Sequence, residues 1–153
     1  MIPFIFTKYL QEAFDVPLVI QLTDDEKFFF KDMSLEDAHK LAIENAKDII
    51  AVGFDPKRTF IFTDYDYLGH MYPNIAKIQK LLTANQVRAA LGLSKDGEDN
   101  IGKYAYPAIQ AAPSFSSSFP HIFGPASHVP VLIPCGIDQV PRSFRQIPLS
   151  RRR

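Results

Sequence analysis

Three short runs, "PLVIQLT", "TFIFT" and "VPVLIPCG", read as strands, and the stretches "PLVI" and "VPVLI" within them are apolar throughout rather than alternately apolar and polar. A strand with one wetted face alternates, whereas a strand apolar throughout has both faces covered. The runs are separated by segments of helical spacing, and that alternation predicts an α/β chain with a parallel sheet and helices on both faces. Residues 2–14 place Ile2, Phe4, Ile5, Leu10 and Phe14 at roughly helical spacing. Ser34 with Asp37, and Thr83 with Gln86, have the three-residue spacing of helix-start boxes. Gly53 suits the residue just after a helix end. Pro73 and Pro107 are read as first-turn prolines of further helices, where a missing N–H costs nothing.

A chain of 153 residues suits one domain. It has no apolar run of about 18 residues, so no membrane span is expected. The start, "MIPFIFTKYLQEAF", has neither a basic leader nor a small-residue cleavage site, so no secretory signal is expected. The single cysteine, Cys135, excludes an internal disulfide and a multi-cysteine zinc site, which fits a reducing compartment. The 17 Lys and Arg balance the 17 Asp and Glu over the whole chain, but five arginines and no acid lie in residues 140–153. Residues 1–139 therefore carry a net charge of about −5, which argues against a nucleic-acid surface on the body. The terminal "SRRR" reads as a phosphate or RNA contact, as a disordered tail, or as sequence foreign to the original reading frame.

Ligands of open α/β sheets bind beyond the carboxyl ends of the strands. Thr23 to Glu26, Asp64 to Asp66, and Gly136 to Gln139 are thus expected to converge on one crevice. Asp24, Asp25 and Glu26 suit a metal, a general base or a bound cation; alternatively one caps the following segment and the others are solvated. Gln21 is an amide near the end of an apolar strand, and a buried amide needs partners. An amide and a carboxylate at one strand end suit a small ligand carrying an N–H and an ammonium. Cys135 reads as a small core residue rather than a nucleophile. His39, His70, His121 and His128 show no metal-ligand spacing and read as surface residues; no metal site is expected. There is no P-loop and no G-x-G-x-x-G. "SFSSSF" lacks the glycines of a nucleophile elbow and reads as a loop.

Taken together, "PLVIQLTDDEKFFFKD", "AIENAKDIIAVGFDPKRTFIFTDYDYLG", "IGKYAYPAIQAAPSFSSSFP" and "LIPCGIDQ" resemble the eukaryotic-type cytoplasmic tryptophanyl-tRNA synthetases, a branch of the class I aminoacyl-tRNA synthetases. The resemblance covers nearly all of residues 2–139. It implies a partial Rossmann catalytic domain over 1–139, with residues 140–153 an aberrant basic tail. It also implies an enzyme that condenses tryptophan with ATP, accompanied by Mg2+, and passes the tryptophanyl group to its tRNA. By resemblance, Gln21 bonds the indole N–H, Glu26 and Gln110 hold the ammonium, Gln139 lies near that group and the adenylate, and Lys27 approaches the ATP phosphates. A cytoplasmic homodimer is implied as well.

The sequence departs from the family in four respects. The HxGH-type motif, which in the family precedes a segment like "IPFIF", is not present, and neither is the KMSxS-type motif. Where the family continues with "DPYFR", this chain has "VPRSFRQIPLSRRR". The loop around "YLGHMYPNIAK" is a few residues shorter. The expectation is an incomplete class I synthetase Rossmann fold with its first strand missing. Such a chain is expected to be marginally stable and inactive alone; the alternative is a non-catalytic product that binds tryptophan or a partner subunit.

Overall fold

The computed structural model describes residues 2–94, 97–125 and 129–135. They fall into two compact units, Met1–Gly69 and His70–Arg153.

In the first unit, α1 (Ile2–Phe14) leads to β1 (Leu18–Leu22), α2 (Asp24–Phe30), α3 (Leu35–Ala51) and β2 (Thr59–Thr63), and the unit closes with the opening turns of α4 (Asp64–Leu81). The strands β1 and β2 pair in parallel, Leu18 opposite Thr59 through to Leu22 opposite Thr63, as the unbroken apolar runs predict. Ile20, Ile49 and Phe54 form the buried core, with Phe4, Leu18, Leu22, Val52 and Ile61 packed against it. The start of α3 is the expected one: Ser34 Oγ accepts the Asp37 amide at 3.1 Å and donates to Asp37 Oδ2 at 2.8 Å. Gly53 follows α3 with φ of 83°, a left-handed conformation that other residues adopt at a cost.

The helix α1 forms where its spacing predicts, but it buries a different side. Ile2, Ile5 and Phe14 are exposed, while Gln11 is 2% exposed. Its amide is a junction. Nε2 donates to Thr59 Oγ1 at 2.9 Å and more weakly to the Arg58 carbonyl, and Oε1 accepts the Asp55 amide at 3.2 Å. Gln11 thereby ties α1 to the entry of β2. Gln11→Leu leaves the Asp55 N–H unpaired and is expected to destabilise by about 1–3 kcal/mol. Urea unfolding measures this; a loss within about 0.5 kcal/mol, typical of surface substitutions, would show the amide to be dispensable.

In the second unit lie the rest of α4, α5 (Ala84–Leu91), α6 (Ile101–Ala111), two 3-10 turns (Ala112–Ser114 and Ser116–Ser118) and α7 (Pro120–Phe123). Thr83 and Gln86 make the full reciprocal capping box at the start of α5. Met71, Ile75, Ile78, Val87, Tyr106, Ile109 and Phe119 are buried.

Four expectations are corrected in this unit. Pro73 lies inside α4 rather than at a helix start, because the helix begins at Asp64. The stretch "DYDYLGHMY" has few strong helix formers and a glycine, so its helical start comes from the strand end that precedes it. Pro107 likewise lies inside α6, whose true cap is Asn100, with Oδ1 accepting the Lys103 amide at 3.1 Å. The "VPVLIPCG" run is no strand: residues 129–135 lack regular structure, and Val131, Leu132 and Ile133 are exposed. A strand exists through its ladder, and Pro130 and Pro134 remove two donors from this one. Its residues Val129 to Val131 instead line a cavity with Ser114 to Ser117.

The serines of "SFSSSF" are not a plain loop either. Ser116 and Ser118 are buried. Ser118 Oγ donates to the Ala112 carbonyl at 2.7 Å, and Asn74 Nδ2 donates to Ser117 Oγ and Ser118 Oγ at 2.9 and 2.8 Å. They are structural hydroxyls that hold a tight double turn.

Candidate functional site

The parallel register brings both strands out at the same carboxyl end of the sheet. Gln21 stands opposite Phe62 and Leu22 opposite Thr63. One residue beyond Leu22 the chain enters α2 through Thr23; directly after Thr63 it enters α4 at Asp64. Two helix N-termini, each with amides lacking intrahelical acceptors, therefore sit beside one another. Carboxylates satisfy them. Asp24, 1% exposed, accepts the Asp25 amide at 3.2 Å and, from across the gap, the Tyr65 amide at 3.1 Å through the same Oδ1. Its Oδ2 meets His39 Nδ1 at 2.8 Å. Thr63 Oγ1 accepts the Asp66 amide at 3.1 Å and donates to Asp66 Oδ2 at 2.9 Å. Asp25 Oδ1 accepts the Glu26 amide at 2.7 Å.

The predicted convergence of Thr23–Glu26 with Asp64–Asp66 is observed. The third part of that prediction, Gly136 to Gln139, lies outside the described residues, as does His128.

Gln21 Nε2 donates to Asp64 Oδ1 at 2.7 Å. Asp64 is 1% exposed, and its Oδ2 is buried without a hydrogen-bond partner if it is a bare carboxylate. Burial pushes the Asp64 carboxyl up to about 8; the Gln21 N–H works against the rise, and the charges of Asp25 and Asp24 add to it. Burial also raises Asp25, against the pull of its hydrogen bond with Asp64. Two close carboxyls cannot both ionise cheaply, so the pair holds one proton between them beyond the usual carboxylate range.

Asp24, Asp25 and Asp64 each offer an oxygen, all within 4.8 Å of one another, a grouping compact enough for a cation. Both oxygens of Asp24 are already taken, by two backbone amides and by His39. The arrangement is accounted for by protein hydrogens and a shared proton.

Of the residues singled out from sequence, Glu26 and Lys27 lie on α2 next to this cluster. Glu26 Oε2 accepts from Thr23 Oγ1 at 3.0 Å and pairs with Lys27 Nζ at 3.1 Å. Lys27 is about half exposed, its ammonium free to leave that pairing for another anion. Gln110 is exposed on the last turn of α6, in the second unit. Gln139 lies outside the described residues. His39 corrects the surface reading. It is partly buried, bonded to Asp24, 3.8 Å from Asp66 Oδ2, and its ring lies 4.8 Å from that of Tyr65. No spacing in the sequence signals this, because its partners are 15 and 27 residues away.

No family model matches the chain. Comparison with individual proteins is decisive in another way. The chain is 62% identical over 143 residues to the cytoplasmic tryptophan–tRNA ligase of Schizosaccharomyces pombe, covering 92% of this chain and 36% of that protein. It is 58% identical over 144 residues to the Homo sapiens counterpart, covering 30% of it. Among solved structures, tryptophanyl-tRNA synthetase from Trypanosoma brucei superposes with a TM-score of 0.87 at 56% identity, over 94% of this chain and 43% of that one. The Encephalitozoon cuniculi enzyme, solved bound to tryptophan, does so with a TM-score of 0.84 at 44% identity, over 92% of this chain and 38% of its own. The chain thus spans about a third of the length of the curated relatives it matches.

Proposed function

Because the chain is homologous to a segment of the cytoplasmic tryptophanyl-tRNA synthetases, we propose that it is part of a tryptophan–tRNA ligase and contributes the tryptophan side of the active site. The observation that carries this reading is Gln21. Its Nε2 is committed to buried Asp64, and among the described residues its Oε1 has no partner. A lone acceptor at the carboxyl edge of a parallel sheet suits a ligand with one donor, and indole N–H is such a donor.

In this reading tryptophan and ATP, with its Mg2+ as part of the nucleotide substrate, condense to tryptophanyl-adenylate and pyrophosphate. The tryptophanyl group then passes to the tRNA. Glu26 turns its carboxylate to the substrate ammonium, a charge-assisted bond roughly twice as strong as a neutral one. The family resemblance assigns Gln110 to the ammonium as well, and Gln139 to that group and the adenylate. Lys27, released from Glu26, meets the ATP phosphates. No covalent enzyme intermediate is required: alignment of the carboxylate with the α-phosphorus and stabilisation of the charge that develops there supply the rate. The whole protein works as a cytoplasmic homodimer. Among the described residues no helix is long and apolar enough to cross a membrane.

The 153 residues hold no HxGH and no KMSxS motif. They are therefore expected to bind tryptophan without catalysing tryptophan-dependent ATP–pyrophosphate exchange. The chain contains no Trp, so ligand fluorescence excited on the long-wavelength side of the absorption of its 6 tyrosines reports binding with little protein background. Gln21→Leu is expected to weaken binding by about tenfold, the worth of one buried hydrogen bond. Equal affinity of the parent and Gln21→Leu chains would overturn the assignment of Gln21. Exchange above a Glu26→Ala control would show that these residues activate tryptophan alone.

A further inference from the structure

Gln21 can present either face of its carboxamide, and the two faces recognise opposite ligands. With Oε1 outward it accepts from a ligand N–H; with Nε2 outward it donates to a ligand acceptor. Something must fix the flip if the site is to discriminate. The groups that can do so are buried behind it. Asp64 Oδ1 lies 2.7 Å from Gln21 Nε2, Asp64 is 1% exposed, and its Oδ2 lacks any other partner. Asp24, Asp25 and Asp64 hold oxygens within 4.8 Å of one another.

We propose that Asp64 is the positioning residue that fixes the Gln21 carboxamide, so that the site presents an acceptor and selects aromatic amino acids bearing a ring N–H. The inference rests on the reading of Gln21 as the ring acceptor. The direction is set from inside outward. A proton shared between Asp64 and the neighbouring carboxylates sits in a charge-assisted bond, stronger than one to a neutral amide carbonyl. That proton therefore stays on the carboxyl side of Asp64, where Oδ2 has no other partner among the described residues, and away from Gln21. Oδ1 is left with lone pairs only. An amide turned the other way would set its own oxygen against those lone pairs, so Nε2 faces Asp64 and Oε1 faces outward. Asp25 is held in turn by the Glu26 amide at 2.7 Å. Asp64 need not touch the ligand at all.

Asp64→Asn tests the direction of the chain. Asparagine can donate from Nδ2 to Asp25 and accept from Gln21 through Oδ1, which reproduces the protonated acid. Asp64→Ala supplies neither. The probes are tryptophan and its β-(3-benzothienyl)alanine isostere, in which sulfur replaces the ring N–H. Affinities for the 153-residue chain are read by calorimetry, and the Gln21 side-chain NH2 is followed by NMR, assigned through its loss in Gln21→Leu. The parent is expected to prefer tryptophan about tenfold or more. Asp64→Asn is expected to keep that preference within about threefold and to keep two well-separated, exchange-protected NH2 protons. Asp64→Ala is expected to bring the preference towards unity and the two protons together, with the isostere's affinity little changed.

An unchanged preference and unchanged NH2 signals in Asp64→Ala would overturn the proposal, as would equal losses for both probes. If Asp64→Ala does not fold, Asp64→Asn decides alone: a folded variant that loses the preference refutes the direction argued here. A parent chain with no preference for tryptophan would instead sink the reading of Gln21, and its NH2 signals would still test the contact with Asp64.

Discussion

Asp24→Ala is expected to cost about 3–5 kcal/mol, the range for removing one partner from a buried charged network. Asp24 is fully buried and closes three contacts at once. Its Oδ1 takes the Asp25 and Tyr65 amides, and its Oδ2 takes His39 Nδ1. The Tyr65 amide belongs to the first turn of α4, which follows β2 directly. Removing the carboxylate orphans donors on two helices and releases a histidine from the opposite helix. Asp24→Asn keeps an acceptor of the same shape and should recover part of the loss. Urea unfolding of parent, Asp24→Ala and Asp24→Asn chains measures both. A cost below about 1 kcal/mol for the alanine variant would mean that water replaces the carboxylate at no penalty.

The second large effect concerns pH. Asp64 has an ordinary value of 3.8 and is pushed up to about 8 in the folded chain, and Asp25 is raised as well. Between those limits the folded state keeps a proton that the unfolded state has released. The unfolded state then binds fewer protons, so stability falls as pH rises, by at most about 1.4 kcal/mol per pH unit. The fall ends once the folded pair has itself ionised, near pH 8. The groups facing this pair are Asp24, Gln21 and the helix amides, with His39 beyond Asp24. Asp37 and Asp55 behave in the opposite sense. Hydrogen bonds to Ser34 and Arg58 respectively hold them below the ordinary range, so what they contribute is lost as pH falls through the acid range. The parent is therefore expected to be more stable at pH 5 than at pH 8, and Asp64→Asn to flatten the difference. A parent profile that rises from pH 5 to pH 8 would contradict the shared proton.

The amount of this structure legible in the sequence varied with the range of the interaction. Helix boxes at Ser34 and Thr83 were readable because a cap and its target amide are three residues apart. The prolines misled because a preference for the first turn is not a rule. Pro73 and Pro107 sit within helices begun by a strand end at Asp64 and by Asn100. The apolar run at 129–135 misled for a different reason: composition offers a strand, but only a neighbour makes one.

The acids at the strand ends show the same division. Sequence and strand logic by themselves placed Gln21, Asp24 to Glu26 and Asp64 to Asp66 at one sheet edge, because parallel strands must finish together. They also carried the resemblance to the cytoplasmic tryptophanyl-tRNA synthetases, to a segment of which the chain is 62% and 58% identical in two relatives. That the acids share a proton, which oxygen faces Gln21, and that His39 and Gln11 are anchors bonded across the fold were decided by tertiary structure alone. Protonation depends on burial and on neighbours up to 43 residues distant in the chain. A carboxylate in a sequence is a charge; only packing, which removes water and brings a second carboxylate beside it, makes it an acid that positions an amide.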